Sequence, residues 1–76
     1  MPHVVVKCYP GRSDEQKTKL AEKIATDIEE IMGAPASSVS VAIEEVNPDN
    51  WFTQVWDNEI EPQMDTLYKK PGYTRK

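Results

Sequence analysis

The residue with the most chemical promise is the second one. Pro2 follows the initiator methionine, and a small residue in that place permits methionine removal. The new terminus is then a prolyl secondary amine, with a lone pair free of amide resonance. Near a cationic group or in an apolar pocket its protonated form is disfavoured, and its pKa falls toward neutrality. A base poised there suits general acid–base catalysis, worth roughly 10²–10⁴-fold. A Met-Pro opening alone is common and carries no function. The other usual constellations are missing from the sequence: there is no Ser-His-Asp set, no glycine-rich phosphate loop and no metal-ligand cluster. His3 is the only histidine and Cys8 the only cysteine. No cofactor and no metal are implied.

The elements that must hold such an amine are short. Residues 3–9 (HVVVKCY) are rich in β-branched side chains and predict a strand closed by Pro10 and Gly11. Val4, Val6 and Cys8 share one of its faces, with Cys8 an apolar filler there; His3, Val5 and Lys7 share the other. Ser13 opens a helix through a capping box with Gln16, and Asp14 and Glu15 suit the positive end of its dipole. Leu20, Ile24, Ile28, Ile31 and Met32 recur at spacings of three and four, predicting one buried stripe that ends at Gly33 and Pro35. Residues 39–46 alternate apolar and polar as a half-buried strand. Strand, long helix and strand at this length make a β-α-β unit, whose strands are parallel in nearly every case. Asn47, Pro48 and Asp49 turn the chain into a helical stretch with Trp51, Phe52, Val55 and Trp56. Pro62 begins a last helix with Met64, Leu67 and Tyr68, and Pro71 and Gly72 end it.

A chain of 76 residues is one domain, residues 1–76, and buries only about 60% of its unfolded surface. Neither disulfides nor a structural metal can supplement so small a core, which leaves self-association. Two strands are also too narrow for a stable sheet and leave both edges unpaired. The net charge of −4, with basic residues scattered apart from Lys69 and Lys70, argues against a nucleic-acid partner. No apolar run approaches the ~20 residues of a membrane span. The lone thiol and the lack of a signal-like start suit the cytoplasm.

Pro2 set directly before a strand, the segment Gly11-Arg12-Ser13-Asp14-Glu15-Gln16-Lys17 and the strand Ser38-Val39-Ser40-Val41 resemble the 4-oxalocrotonate tautomerase family. His3, Lys7-Cys8, Trp56-Asp57, Glu59-Ile60, Pro62-Gln63-Met64 and Lys69-Lys70-Pro71-Gly72-Tyr73 are similar to its PptA branch, so the resemblance covers nearly the whole chain. It implies an α/β fold: a small β-α-β protomer with a C-terminal helical segment, dimerising into a four-stranded sheet, where shorter relatives form hexamers. It implies an enol–keto tautomerase acting on small-molecule 2-oxo acids such as the enol of phenylpyruvate, with Pro2 as the base. Arg12 falls where relatives hold a substrate carboxylate, and Trp51 where they wall the pocket. Ser40 departs from the pattern, standing where the hexameric relatives carry a second arginine; a neutral hydroxyl supplies no charge, which favours a monoacid with an apolar end over a diacid. Two other functions share this scaffold: hydration or decarboxylation of a small acid by the same proline, and a catalytically silent dimer that serves as a binding module.

Overall fold

Ser13 sets where the longest element begins. In the structure, a computed structural model that describes residues 1–75, the Ser13 hydroxyl accepts the Gln16 amide at 3.1 Å and Gln16 Oε1 accepts the Ser13 amide at 2.9 Å. This reciprocal box satisfies two amides that the first turn otherwise leaves free, and helix α1 runs Asp14–Met32. Gly33 ends it at φ 79°, its amide donating to the Glu29 carbonyl at 3.1 Å, a left-handed cap that glycine adopts without penalty. The Glu29 carboxylate then accepts the Ala36 amide at 2.8 Å and anchors the 3₁₀ turn Ala36–Ser38 beyond Pro35.

Strands β1 (His3–Cys8) and β2 (Ser40–Glu45) lie side by side in parallel, in register from His3 opposite Ser40 to Cys8 opposite Glu45. The β-α-β unit of the sequence is therefore present, its strands trimmed slightly at the ends of the β-branched runs. Lys17 of α1 reaches Glu45 at 2.9 Å, which puts α1 on the face shared by Val4, Val6, Val41 and Ile43. The opposite face carries His3, Val5 and Lys7 beside Ser40, Ala42 and Glu44, and Val5 on it is 43% exposed. Cys8 is half-buried rather than enclosed.

The predicted stripe on α1 is only partly covered. No α1 residue is fully buried, and Ile31 and Met32 are 82% and 68% exposed. Length explains this. A helix of 19 residues is about 28 Å long, while six-residue strands extend about 20 Å, so one end of α1 overhangs two short strands.

The described residues divide into two compact units, Met1–Glu45 and a second from Val46 onward. In the second, Asn47 Oδ1 accepts the Asp49 amide at 2.9 Å and opens the 3₁₀ turn Pro48–Asn50. The helical stretch that follows is a π-helix, Phe52–Ile60. Asn58 supports the wide turns by donating to the carbonyls of Gln54 at 3.1 Å and Thr53 at 3.4 Å. The Trp56 indole donates to Glu61, five residues on, at 2.9 Å. Val55 and Trp56 are the buried apolar residues among those described. The last predicted helix is a 3₁₀ segment, Glu61–Thr66, that stops before Leu67 and leaves Tyr68 fully exposed. Thr66 bonds its hydroxyl back to the Gln63 carbonyl at 2.9 Å, a local bond that competes with helix propagation. The tail folds back: Tyr73 packs 5.3 Å from Trp56 and 6.4 Å from Phe52, and Arg75 lies over the Phe52 ring and pairs with Asp57 at 3.3 Å.

Candidate active site

Pro2 stands immediately before β1 and is half-buried. Its carbonyl accepts the Ser40 amide at 3.1 Å, so the parallel pairing of the two strands starts at the candidate base itself. Met1 is wholly exposed. While Met1 is attached, the Pro2 nitrogen is a tertiary amide with no basicity; removal of Met1 leaves a secondary amine tethered beside the start of β2. The β-branched run of β1 and the helix that returns the chain to β2 in register are what hold Pro2 and Ser40 together.

Ser40 faces His3 across the register, its Oγ 2.6 Å from His3 Nδ1. The sequence marks Ser40 as a site residue and puts His3 on the β1 face with Val5 and Lys7; the structure couples them. In-register pairing of the two strand starts was the signal that could have joined them.

Arg12 follows Gly11, whose φ of 127° is a conformation costly for any residue with a side chain. The guanidinium donates to the Tyr9 carbonyl at 3.2 Å on an exposed loop. This loop leaves the far end of β1, and six strand residues at about 3.3 Å each separate it from Pro2. Within one chain, Arg12 and Pro2 are thus at opposite ends of the strand. Trp51 belongs to the second unit, where its indole donates to the Tyr73 hydroxyl at 3.0 Å. No sequence signal pointed to Tyr73 as the partner of Trp51, since the two are far apart in the chain.

The lysines whose pKa the fold raises serve the scaffold. The hydrogen bond to Glu45 raises Lys17, and the hydrogen bond to Asp27 raises Lys23. At the start of the two strands, by contrast, stand a potential amine base, a hydroxyl donor and an imidazole, a set able to move a proton and to bind an anionic oxygen.

The chain as a whole is similar to known proteins. The sequence profile of the family described as tautomerase enzyme matches residues 2–56. Tautomerase PptA of Enterobacter sp. (strain 638) is 52% identical over 75 residues, covering 97% of this chain and 99% of the relative. Tautomerase PptA of Escherichia coli (strain SMS-3-5 / SECEC) is 45% identical over 75 residues with the same coverage. Among solved structures, the 4-oxalocrotonate tautomerase homologue YwhB matches with a TM-score of 0.61 at 44% identity, over 63% of this chain and 79% of that one. TomN, a 4-oxalocrotonate tautomerase homologue of the tomaymycin biosynthetic pathway, matches with a TM-score of 0.64 at 28% identity, over 84% of this chain and 95% of that one.

Proposed function

Given that this chain belongs to the tautomerase family and is an isomerase, we propose that it interconverts the enol and keto forms of 2-oxo acids, phenylenolpyruvate-like enols foremost, with Pro2 as general acid and base once Met1 is removed. The observation that carries this is the hydrogen bond from the Ser40 amide to the Pro2 carbonyl, which holds the terminal amine at the head of a paired strand instead of on a loose tail.

The chemistry needs one base used twice. The prolyl nitrogen takes the enol hydroxyl proton, the C2–O bond becomes a carbonyl, and the electron pair of the C2=C3 bond takes the same proton back from the prolinium at C3. No atom is gained or lost. The Ser40 hydroxyl is close enough to the chain start to donate to the 2-oxo or carboxylate oxygen. Because it carries no charge, a monoacid fits better than a diacid.

Arg12 enters through assembly. A twofold-related copy that shares a strand edge runs antiparallel to the first, which carries one copy's Arg12 loop toward the other's Pro2. Pairing the edges in this way also makes the four-stranded sheet that two strands alone lack. A homodimer is therefore part of the proposal, and the free thiol of Cys8 suits a reducing cytoplasm.

The test is ketonisation of phenylenolpyruvate, followed by loss of its ultraviolet absorbance, with the processed protein and with Pro2→Ala. A rate well above buffer that falls in the variant is expected. A wild-type rate equal to buffer returns the protein to the class of silent binding modules.

A further inference from the structure

His3 and Ser40 are the first residues of their strands, side by side in the parallel register, and Ser40 Oγ lies 2.6 Å from His3 Nδ1. We propose that His3 is a positioning residue that turns the Ser40 hydroxyl proton toward or away from the substrate according to its own protonation, so that 2-oxo acid binding tightens as pH falls. This rests on the Pro2-centred function above and adds to it a specificity device made of two side chains.

A hydroxyl has one proton to donate and two lone pairs to accept with, and a neutral imidazole has one donor and one acceptor nitrogen. With Nδ1 unprotonated, the Ser40 hydroxyl donates into it, and the outward side of Oγ presents lone pairs. An arriving carboxylate or 2-oxo oxygen then meets lone pairs and gains no hydrogen bond. With the imidazole protonated, both ring nitrogens carry hydrogen. Nδ1–H donates to Oγ, and the hydroxyl proton is released to donate outward to the substrate oxygen. The imidazolium behind it polarises that bond and strengthens it. The pair thus supplies, at low pH only, the positive charge that serine alone lacks.

The surroundings leave this pair accessible. His3 and Ser40 are both exposed on the face of the sheet opposite α1. Among the described residues of the two strands, the charged groups on that face are Lys7 from β1 and Glu44 from β2, which lie 4.0 Å apart. From α1, Lys17 approaches the other face, where it pairs with Glu45 at 2.9 Å at the far end of β2. The residue next to His3 contributes the Pro2 amine of the processed chain. Prolinium and imidazolium are like charges on adjacent residues. Prolinium also attracts an anion at low pH in every variant, so the share of the His3–Ser40 pair is read from the ratio of variant to wild type at each pH.

Benzoylformate is the probe, because it is a 2-oxo acid with no enolisable hydrogen and binds without turning over. Its Kd is measured calorimetrically at pH 5.5 and pH 8 for the processed wild type, Ser40→Ala, His3→Gln and the double variant, with circular dichroism confirming that each is folded. Either single substitution is expected to weaken binding about tenfold at pH 5.5, the scale of one charge-assisted hydrogen bond, and to change it less than twofold at pH 8. The double variant is expected to bind no more weakly than either single one, because the two side chains act as one unit. The same weakening at both pH values, or losses that multiply in the double variant, overturns the proposal. The unmodified protein gives an independent readout, since its single histidine is assigned without ambiguity in a nitrogen-15 spectrum. Saturating benzoylformate should raise the imidazole titration midpoint by about one pH unit, the linkage counterpart of a tenfold affinity change, and should do so far less in Ser40→Ala. An equal rise in the two proteins sinks it. Full ketonisation activity in Pro2→Ala would instead remove the underlying function, and these binding measurements do not depend on that outcome.

Discussion

An N-terminal proline differs from every other N-terminal residue in presenting a secondary amine, and it does so only after the residue before it has gone. The consequence is an all-or-none requirement. Pro2→Ala replaces the ring amine by a mobile primary one, and the ketonisation rate should fall by roughly 10²–10⁴-fold, the usual share of a positioned acid–base group, with little change in KM. A form that retains Met1, checked by intact mass, should be as inactive, because the tertiary amide has no lone pair to offer. Arg12 should behave differently. Its guanidinium takes no proton, so Arg12→Ala should act on carboxylate binding: KM rises about tenfold while kcat falls less, as expected when a charge-assisted contact made equally in ground and transition states is lost. A steady-state comparison of the two variants separates the roles, and a kcat effect dominating in Arg12→Ala would mean that it stabilises the moving charge instead.

Among the elements, α1 is the one whose ends are set by single residues. Ser13→Ala removes one partner of the capping box and should cost about 1 kcal/mol in a denaturant titration. At Gly33 there is open space around an added Cβ, so Gly33→Ala should cost about 1–2 kcal/mol from its left-handed backbone alone, and Gly33→Asn less. The tie from α1 to β2 has its own pH signature. The hydrogen bond to Glu45 raises the Lys17 pKa above its ordinary 10.5, so the folded state holds this proton more tightly than the unfolded chain. That contribution is complete below pH 10.5 and disappears as pH climbs through the raised value; the melting difference between wild type and Lys17→Met should therefore hold up to about pH 10 and close only above pH 10.5. The caps, the β-α-β order and the register-compatible alternation of both strands were legible in the sequence because each is a local pattern with a local cause. The meeting of Pro2 and Ser40 was not, since the predicted second strand starts at Val39 and a register one residue off would pair other residues. The π-helix was not legible: Trp56 and Glu61 bond at a spacing of five, while apolar recurrence reports only spacings of three and four. Nor was the exposure of Ile31 and Met32, because periodicity marks which side of a helix is apolar and says nothing of what covers it. The Tyr73 contact to Trp51 depends on a tail that folds back through Pro71 and Gly72, for which no spacing rule exists.

Taken as a whole molecule, the chain keeps its buried residues in the wrong place for a self-sufficient β-α-β unit. Val55 and Trp56 are buried, and both belong to the second unit, whereas no residue of Met1–Glu45 reaches that state. Among the described residues its sheet has two strands, and α1 ends in a groove of about 290 Å³ lined by Ile24, Asp27, Ile28, Ile31 and Met32. Leaving Ile31 in water forgoes on the order of 1.5–3 kcal/mol of burial, a large fraction of what holds a domain this small together. A second copy that completes the sheet and covers the overhanging end of α1 removes both deficits. Stability should then depend on concentration, because association draws on the folded state alone: each tenfold dilution should lower the apparent stability per dimer by about 1.4 kcal/mol and the Tm with it. Ile31→Glu places a carboxylate in the covered region and should shift the protein to monomer in sedimentation velocity, with a lower Tm that no longer responds to dilution. Ketonisation activity should fall in parallel with the dimer fraction if Arg12 acts across the pair. A wild-type Tm that is flat over a hundredfold range of concentration, together with an unchanged sedimentation coefficient in Ile31→Glu, would show that the unit stands alone and that Arg12 has no route to Pro2.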